Sequence, residues 1–186
     1  MIKYIITDFD GTLVNTKKAN ILAYKEAFKE CGYVLNVSQY EGAFGLRFDS
    51  MCNALGVPDD ADIRNKIKHK KAEVYPKYFS MLELNENLIQ FLKLSKSNNI
   101  KIAIASTASK ENLMAVLLYF GLEKMFDIII TGEMVKNGKP DPEVYNNAMN
   151  KLGCVHSQEC LVFEDSSAGI ESANNAGIEN VIKIKL

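Results

Sequence analysis

Residues 2–12, Ile2-Lys3-Tyr4-Ile5-Ile6-Thr7-Asp8-Phe9-Asp10-Gly11-Thr12, open on an apolar run that ends in two acids and a glycine. The run is short and β-branched, and Asp10-Gly11 is a turn signal, so the segment reads as a buried strand stopping at that turn. Side chains alternate along an extended chain, which puts Asp8 and Asp10 on the same side and lets both carboxylates serve one site. A plain hairpin turn at Asp10-Gly11 would account for the same residues without any chemistry.

Working outward, similar apolar runs recur at Ile100–Ala105, Asp127–Ile130, Cys160–Phe163 and Val181–Ile184. Between them lie residues at helical spacing: Leu88, Phe91, Leu92 and Leu94; Leu113, Val116, Leu117 and Phe120; Val144, Ala148 and Leu152. Strands alternating with helices predict an α/β fold, a mainly parallel sheet with helices on both faces. The near-continuous apolar strands suit such a sheet, because both strand faces are buried. Residues 16–79 break the alternation and read as several helices without a strand. The expected organisation is a core of residues 1–15 and 81–186 with a helical domain, 16–80, inserted between. Ile63, Ile67, Val74 and Tyr78 stripe the last inserted helix. The basic run Arg64, Lys66, Lys68, His69, Lys70 and Lys71 reads as its solvated face, with steering of an anionic substrate as the alternative.

At 186 residues the chain exceeds one average domain and falls short of two, which suits one core with one insertion. A net charge of -1 provides no positive field to hold a phosphate backbone, so no nucleic-acid partner is expected. Cys31, Cys52, Cys154 and Cys160 lack metal-ligand spacing and read as free thiols. His69 and His156 are far apart and read as surface or packing residues. No apolar stretch is long enough for a membrane span or a signal-peptide core, so a soluble cytoplasmic protein with no membrane partner is expected. Nothing in the chain specifies an oligomeric state.

Three further segments carry candidate chemistry. Ser106 ends the run IAIAS at 102–106; Lys139 lies in NGKPDPEVY at 137–145; Glu164-Asp165 follow a strand in VFEDSSAGI at 162–170. Each has an unremarkable reading: a solvated serine before a helix cap at Ser109, a solvated loop lysine, and an N-cap at Asp165 or Ser166. Pro142 is placed to open a helix.

Together with DFDGT at 8–12, these segments resemble the four motifs of the haloacid dehalogenase superfamily, in order and over the whole chain. The likeness extends to that superfamily's branch with a helical cap, shared by β-phosphoglucomutases and phosphoglycolate phosphatases. It implies a Rossmann-like core plus an inserted α-helical cap, and Mg²⁺-dependent hydrolysis of a small phosphorylated metabolite. By this resemblance Asp8 is the nucleophile that forms an aspartyl-phosphate and Asp10 the general acid/base. Ser106 and Thr107 would bind phosphate, and Lys139 would offset the charge of nucleophile and phosphate. The Mg²⁺ ligands would be Asp8, the Asp10 carbonyl and Asp165, with Glu164 behind them or acting through water. Gly45-Leu46-Arg47 resembles the substrate-facing loop of such caps and makes Arg47 a candidate substrate contact.

A sugar phosphomutase is the alternative, since ASTASKEN at 105–112 and FEDSSAGI at 163–170 resemble the β-phosphoglucomutase branch. That branch carries a cap-hinge histidine about ten residues beyond its second aspartate. Residues 15–24 contain none and place Asn20 there, which favours a phosphatase. Asp10 argues against a dehalogenase, which has no need of a second acid. The intact Asp8, Asp10, Lys139 and Asp165 argue against a non-catalytic phosphate-binding module.

Overall fold

The opening apolar run forms strand β1 (Tyr4–Thr7), with Ile5, Ile6 and Thr7 buried. In the computed structural model, which describes residues 1–186, β1 is the middle of a five-stranded sheet. The other strands are β4 (Lys101–Ala105), β5 (Ile128–Ile130), β6 (Cys160–Glu164) and β7 (Val181–Lys183). The order is β5-β4-β1-β6-β7 and every pairing is parallel. Parallel neighbours need long crossovers. The connections from β4 to β5, from β5 across the sheet to β6, and from β6 to β7 carry α6 (Lys110–Tyr119), α7 (Glu143–Leu152) and α8 (Ser167–Asn175) in turn. α5 (Glu86–Ser97) precedes β4.

Ile102, Ala103, Ile104 and Ala105 are completely buried, as a strand covered on both faces requires. One core cluster packs Ile6, Ala103, Ala105, Ile130 and Val162 against Val144, Tyr145 and Ala148 of α7. Helix starts follow local capping: the side chains of Asn85, Ser109 and Ser166 accept the backbone N–H groups of Leu88, Asn112 and Gly169. Helix α7 begins after Pro142 and ends at Gly153, whose φ of 76° is the left-handed stop that favours glycine.

The chain divides into two compact units, Met1–Asn15 with Glu83–Leu186, and Thr16–Leu82. At the junctions, β2 (Val14–Asn15) and β3 (Glu83–Leu84) form an antiparallel pair too short to show a strand pattern in sequence. The second unit contains α1 (Lys17–Glu30), α2 (Val37–Gly42), α3 (Phe48–Ala54), α4 (Ala61–Val74) and a 3₁₀ segment, Tyr75–Met81. Phe28, Tyr40, Met51, Cys52 and Ile67 are central to its core. Tyr78 therefore lies in the 3₁₀ segment rather than in the helix with Ile67.

The basic run on α4 is not a uniformly solvated face. Lys66 and His69 are exposed, as expected, but Arg64 and Lys71 are buried. The Arg64 guanidinium holds the α3–α4 connection, donating to Asn53 Oδ1 at 2.6 Å and to the Pro58 carbonyl at 3.0 Å. Lys71 Nζ lies 3.4 Å from the centroid of the Tyr75 ring, a cation–π contact that helix periodicity does not reveal. His156 is exposed and all four cysteines are free. No helix is long and apolar enough to cross a membrane.

Candidate active site

The sheet runs outward in both directions from β1, so the chain crosses to β4 on one side and later to β6 on the other. In open parallel sheets such a reversal leaves a crevice at the carboxyl ends of the strands. Asp8 follows β1 directly, Ser106 follows β4, and Glu164 ends β6 with Asp165 directly after it. The register sets Thr7 opposite both Ile104 and Phe163, which brings these residues to one edge. The Asp8 backbone N–H donates to the Phe163 carbonyl at 2.9 Å, and that of Ser106 to the Ile130 carbonyl at 3.1 Å.

Beyond Asp8 the chain turns back sharply. The Gly11 N–H donates to the Val14 carbonyl at 2.8 Å, and Gly11 has φ 92°, where only glycine is at ease. A Cβ on Gly11 would collide with the Asp165 carboxylate. Thr12, fully buried, donates its hydroxyl to Asp165 Oδ1 at 3.1 Å. Asp10 is half-buried in this turn and bridges to Val14. The turn read at Asp10-Gly11 is present, and it follows Asp8 directly.

Lys139 arrives from the loop after β5 and reaches both Asp8 Oδ1, at 2.6 Å, and Glu164 Oε1, at 2.5 Å. Its loop is pinned from several directions. The Glu143 carboxylate accepts the backbone N–H groups of Lys136 and Asn137, each at 2.9 Å. Ser172 and Asn175 of α8 donate to the carbonyls of Asp141 and Pro140. The Lys139–Pro140 peptide bond is cis.

Glu164 is fully buried and its oxygens are committed: Oε1 to Lys139 and the Tyr145 hydroxyl, Oε2 to the backbone N–H and hydroxyl of Ser166. Gly169 makes room for it, since a Cβ there would collide with the Glu164 carboxylate. Ser106 is buried and its Oγ accepts the Ala108 N–H at 3.0 Å. Thr107 is half-buried, and its carbonyl is approached so closely by Gly132 that a side chain there would clash.

Charge is unevenly balanced. One oxygen from each of Asp8, Glu164 and Asp165 can be chosen so that all three lie within 4.8 Å of one another. Burial pushes the Asp8 carboxyl well above the ordinary carboxylate range; Lys139 opposes this, while Glu164 and Asp165 add to it. Burial and Glu164 raise Asp165 as well, against the Thr12 hydrogen bond. For Glu164, burial is outweighed by Lys139 and Ser166, and its carboxyl is held below the ordinary value. Burial lowers the Lys139 pKa, but the charge of Asp8 above all outweighs this and holds the ammonium well above its ordinary value.

Lys139 contacts both Asp8 and Glu164 directly, Asp165 lies within 4.8 Å of the two carboxylates, and Asp10, Ser106 and Thr107 lie in the adjoining strand-end loops. Arg47, half-buried, precedes α3 in the helical unit. Sequence reasoning missed Tyr145 and Gly169 as parts of this site. Tyr145 lies beside an apolar helical stripe and reads as core, whereas Gly169, in the first turn of a helix, is a signal that could have been followed.

The family model for haloacid dehalogenase-like hydrolases matches residues 5–183. A phosphorylated carbohydrates phosphatase of Thermotoga maritima is 30% identical, the match covering 95% of this chain and 82% of that one. The crystal structure of CbbY from Rhodobacter sphaeroides in complex with phosphate superposes with a TM-score of 0.86 at 25% identity, covering 99% of this chain and 87% of that one. β-Phosphoglucomutase from Clostridium difficile gives a TM-score of 0.84 at 26% identity, covering 100% and 86%. Matched along nearly its whole length by the family model, and with its acids and lysine gathered at one sheet edge, the chain belongs to the haloacid dehalogenase-like hydrolases.

Proposed function

We propose that the protein is a Mg²⁺-dependent phosphomonoester hydrolase acting on a small phosphorylated metabolite through an aspartyl-phosphate on Asp8. The observation that carries this reading is the buried Asp8 carboxylate, 2.6 Å from the Lys139 ammonium and grouped with two further carboxylates. The phosphatase among its relatives, and CbbY with its bound phosphate, point the same way.

Asp8, Asp165 and the Asp10 carbonyl would hold the ion, as hard oxygen donors suited to Mg²⁺. The cluster fits a cation: three carboxylates lie together while Lys139 pairs with only two of them, and burial first, with the neighbouring carboxylates adding to it, raises Asp8 and Asp165, a cost that a bound cation would relieve. When bound, the ion neutralises charge on the phosphoryl oxygens. Glu164, with both oxygens engaged, stays behind and holds Lys139. Asp8 attacks phosphorus in line with the leaving oxygen, which departs with the Asp10 proton. Asp10 then takes a proton from water as it attacks the aspartyl-phosphate, restoring Asp8 and releasing inorganic phosphate. Lys139, Ser106 and Thr107 bind the phosphoryl oxygens, where fixed donors do most of the work of phosphoryl transfer. We assign choice of leaving group to the helical unit, with Arg47 as its contact. Four free cysteines are in keeping with a reducing compartment, the cytoplasm.

The test is phosphate release from sugar phosphates, phosphoglycolate and nucleotide monophosphates with Mg²⁺, and its loss in EDTA; full activity in EDTA sinks the reading. Independently of turnover, Mg²⁺ should raise the melting temperature of the native protein and not that of Asp165→Asn. Incubation with β-glucose 1-phosphate and catalytic glucose 1,6-bisphosphate should give little glucose 6-phosphate; rapid isomerisation without phosphate release would identify a mutase.

A further inference from the structure

We infer that Tyr145 is a positioning residue for this chemistry: its hydroxyl holds Glu164, and its ring faces Lys139, so that the Lys139 ammonium is delivered to Asp8. The inference deepens the phosphohydrolase reading and rests on it.

Tyr145 is fully buried in α7, at the start of the helix whose loop carries Lys139. Its neighbours in the stripe, Val144, Ala148 and Leu152, are apolar and buried, so volume alone calls for a leucine or phenylalanine here. A phenol in such a place costs desolvation unless it is paired. It is paired with one specific atom: the hydroxyl is 3.1 Å from Glu164 Oε1, the same oxygen that Lys139 Nζ reaches. Lys139 Nζ also lies 5.2 Å from the centroid of the Tyr145 ring, within cation–π range.

The physical consequence is a competition. Lys139 is shared between two carboxylates, Asp8 and Glu164. Every donor supplied to Glu164 spreads that carboxylate's charge and weakens its hold on the ammonium. Ser166 supplies two donors at Oε2, and Tyr145 supplies the one at Oε1. Without the phenol, Oε1 would keep Lys139 as its remaining partner in these contacts and draw it away from Asp8. Nucleophile and phosphate would then lose part of their counter-charge, while the ring's packing volume would be unchanged in phenylalanine.

The experiment uses the full chain, with p-nitrophenyl phosphate and Mg²⁺ as the assay. Tyr145→Phe should lower kcat about 10-fold, the scale of one lost hydrogen bond to a charged group, with KM changed less than about 2-fold. In a Glu164→Gln background the same substitution should cost less than about 2-fold, because the charge through which Tyr145 acts is gone. A merely structural tyrosine would cost the same factor in both backgrounds, and that result overturns the inference. A second readout needs neither metal nor turnover: the ¹⁵N-labelled lysine ammonium signal that disappears in Lys139→Met should shift or broaden in Tyr145→Phe. An unmoved signal also overturns the inference. Absence of phosphatase activity in the native protein would instead refute the phosphohydrolase reading, and the ammonium signal would still decide whether Tyr145 positions Lys139.

Discussion

Replacing Asp8 with asparagine is expected to abolish turnover and, with Mg²⁺ removed, to make the protein more heat-stable. Oxygens of Asp8, Glu164 and Asp165 lie within 4.8 Å of one another. At an effective dielectric of ~20, two unit charges so placed repel by roughly 3.5 kcal/mol, and Asp8 faces two of them, roughly 7 kcal/mol. Lys139, 2.6 Å away, returns roughly 6 kcal/mol on the same scale. Attraction and repulsion nearly cancel, leaving the cost of burying the carboxylate uncompensated. Asparagine has the same shape, can still accept from Lys139, and carries no charge. A gain of about 1–3 kcal/mol is expected, within the range seen when whole buried ion pairs are replaced by neutral groups, because Lys139 keeps Glu164 as its charged partner and is not left uncompensated. For a chain of this size that is a rise of roughly 2–12 °C in Tm.

The assay is scanning calorimetry of both proteins in EDTA between pH 5 and 8. The folded-state pKa of Asp8 is raised, so the stability linked to its protonated form is fully present below the unfolded value of ~3.9 and is lost as pH rises through the folded value. The advantage of asparagine should therefore be small in acid and grow toward neutral pH. Adding Mg²⁺ should reverse it by stabilising the native protein selectively. A lower Tm for Asp8→Asn in EDTA at neutral pH, or an advantage that widens toward acid, would refute the charge accounting.

Lys139→Met should act in the opposite sense, leaving two buried carboxylates without their cation; a loss of about 3–5 kcal/mol in thermal denaturation and at least about 100-fold in kcat is expected. Gly11→Ala sets a side chain at φ 92° against the Asp165 carboxylate. It should weaken Mg²⁺ binding by titration calorimetry and destabilise by about 1–3 kcal/mol. Asp10→Asn should lower kcat by about 10²–10⁴-fold while still forming aspartyl-phosphate from p-nitrophenyl phosphate, whose leaving group needs little protonation; quenched-protein mass spectrometry should find the phosphate on residue 8.

The parts of the site legible in sequence are those written in contiguous residues. Asp8-Phe9-Asp10-Gly11 displays strand, turn and paired acids in one stretch because each depends on local backbone geometry. Lys139 and Glu164-Asp165 stood out because GKPDP and VFEDSSAGI resemble family motifs in order behind DFDGT; a proline-marked loop or a strand end alone would leave each a solvated residue or a cap. Tyr145 was not legible as part of the site: its partner Glu164 is 19 residues away, and along α7 it is one more buried aromatic. Thr12 and Asp165 are 153 residues apart, and nothing local in either announces the hydrogen bond that orients the carboxylate.

What the sequence by itself determined is the alternation of strands and helices and the placement of its candidate acids near strand ends, consequences of short-range periodicity and turn chemistry; the roles proposed for those acids rest on the family resemblance. Only the tertiary structure decided the strand order that gathers β1, β4 and β6 at one edge, because parallel pairing joins segments that share no local signal. It also decided which charges are buried. Lys71 and Lys66 look alike on one helix, yet one rests on Tyr75 and the other is exposed. Lys139 is a loop lysine whose charge matters because folding places two carboxylates from distant strands within reach of it, where little water remains to screen them.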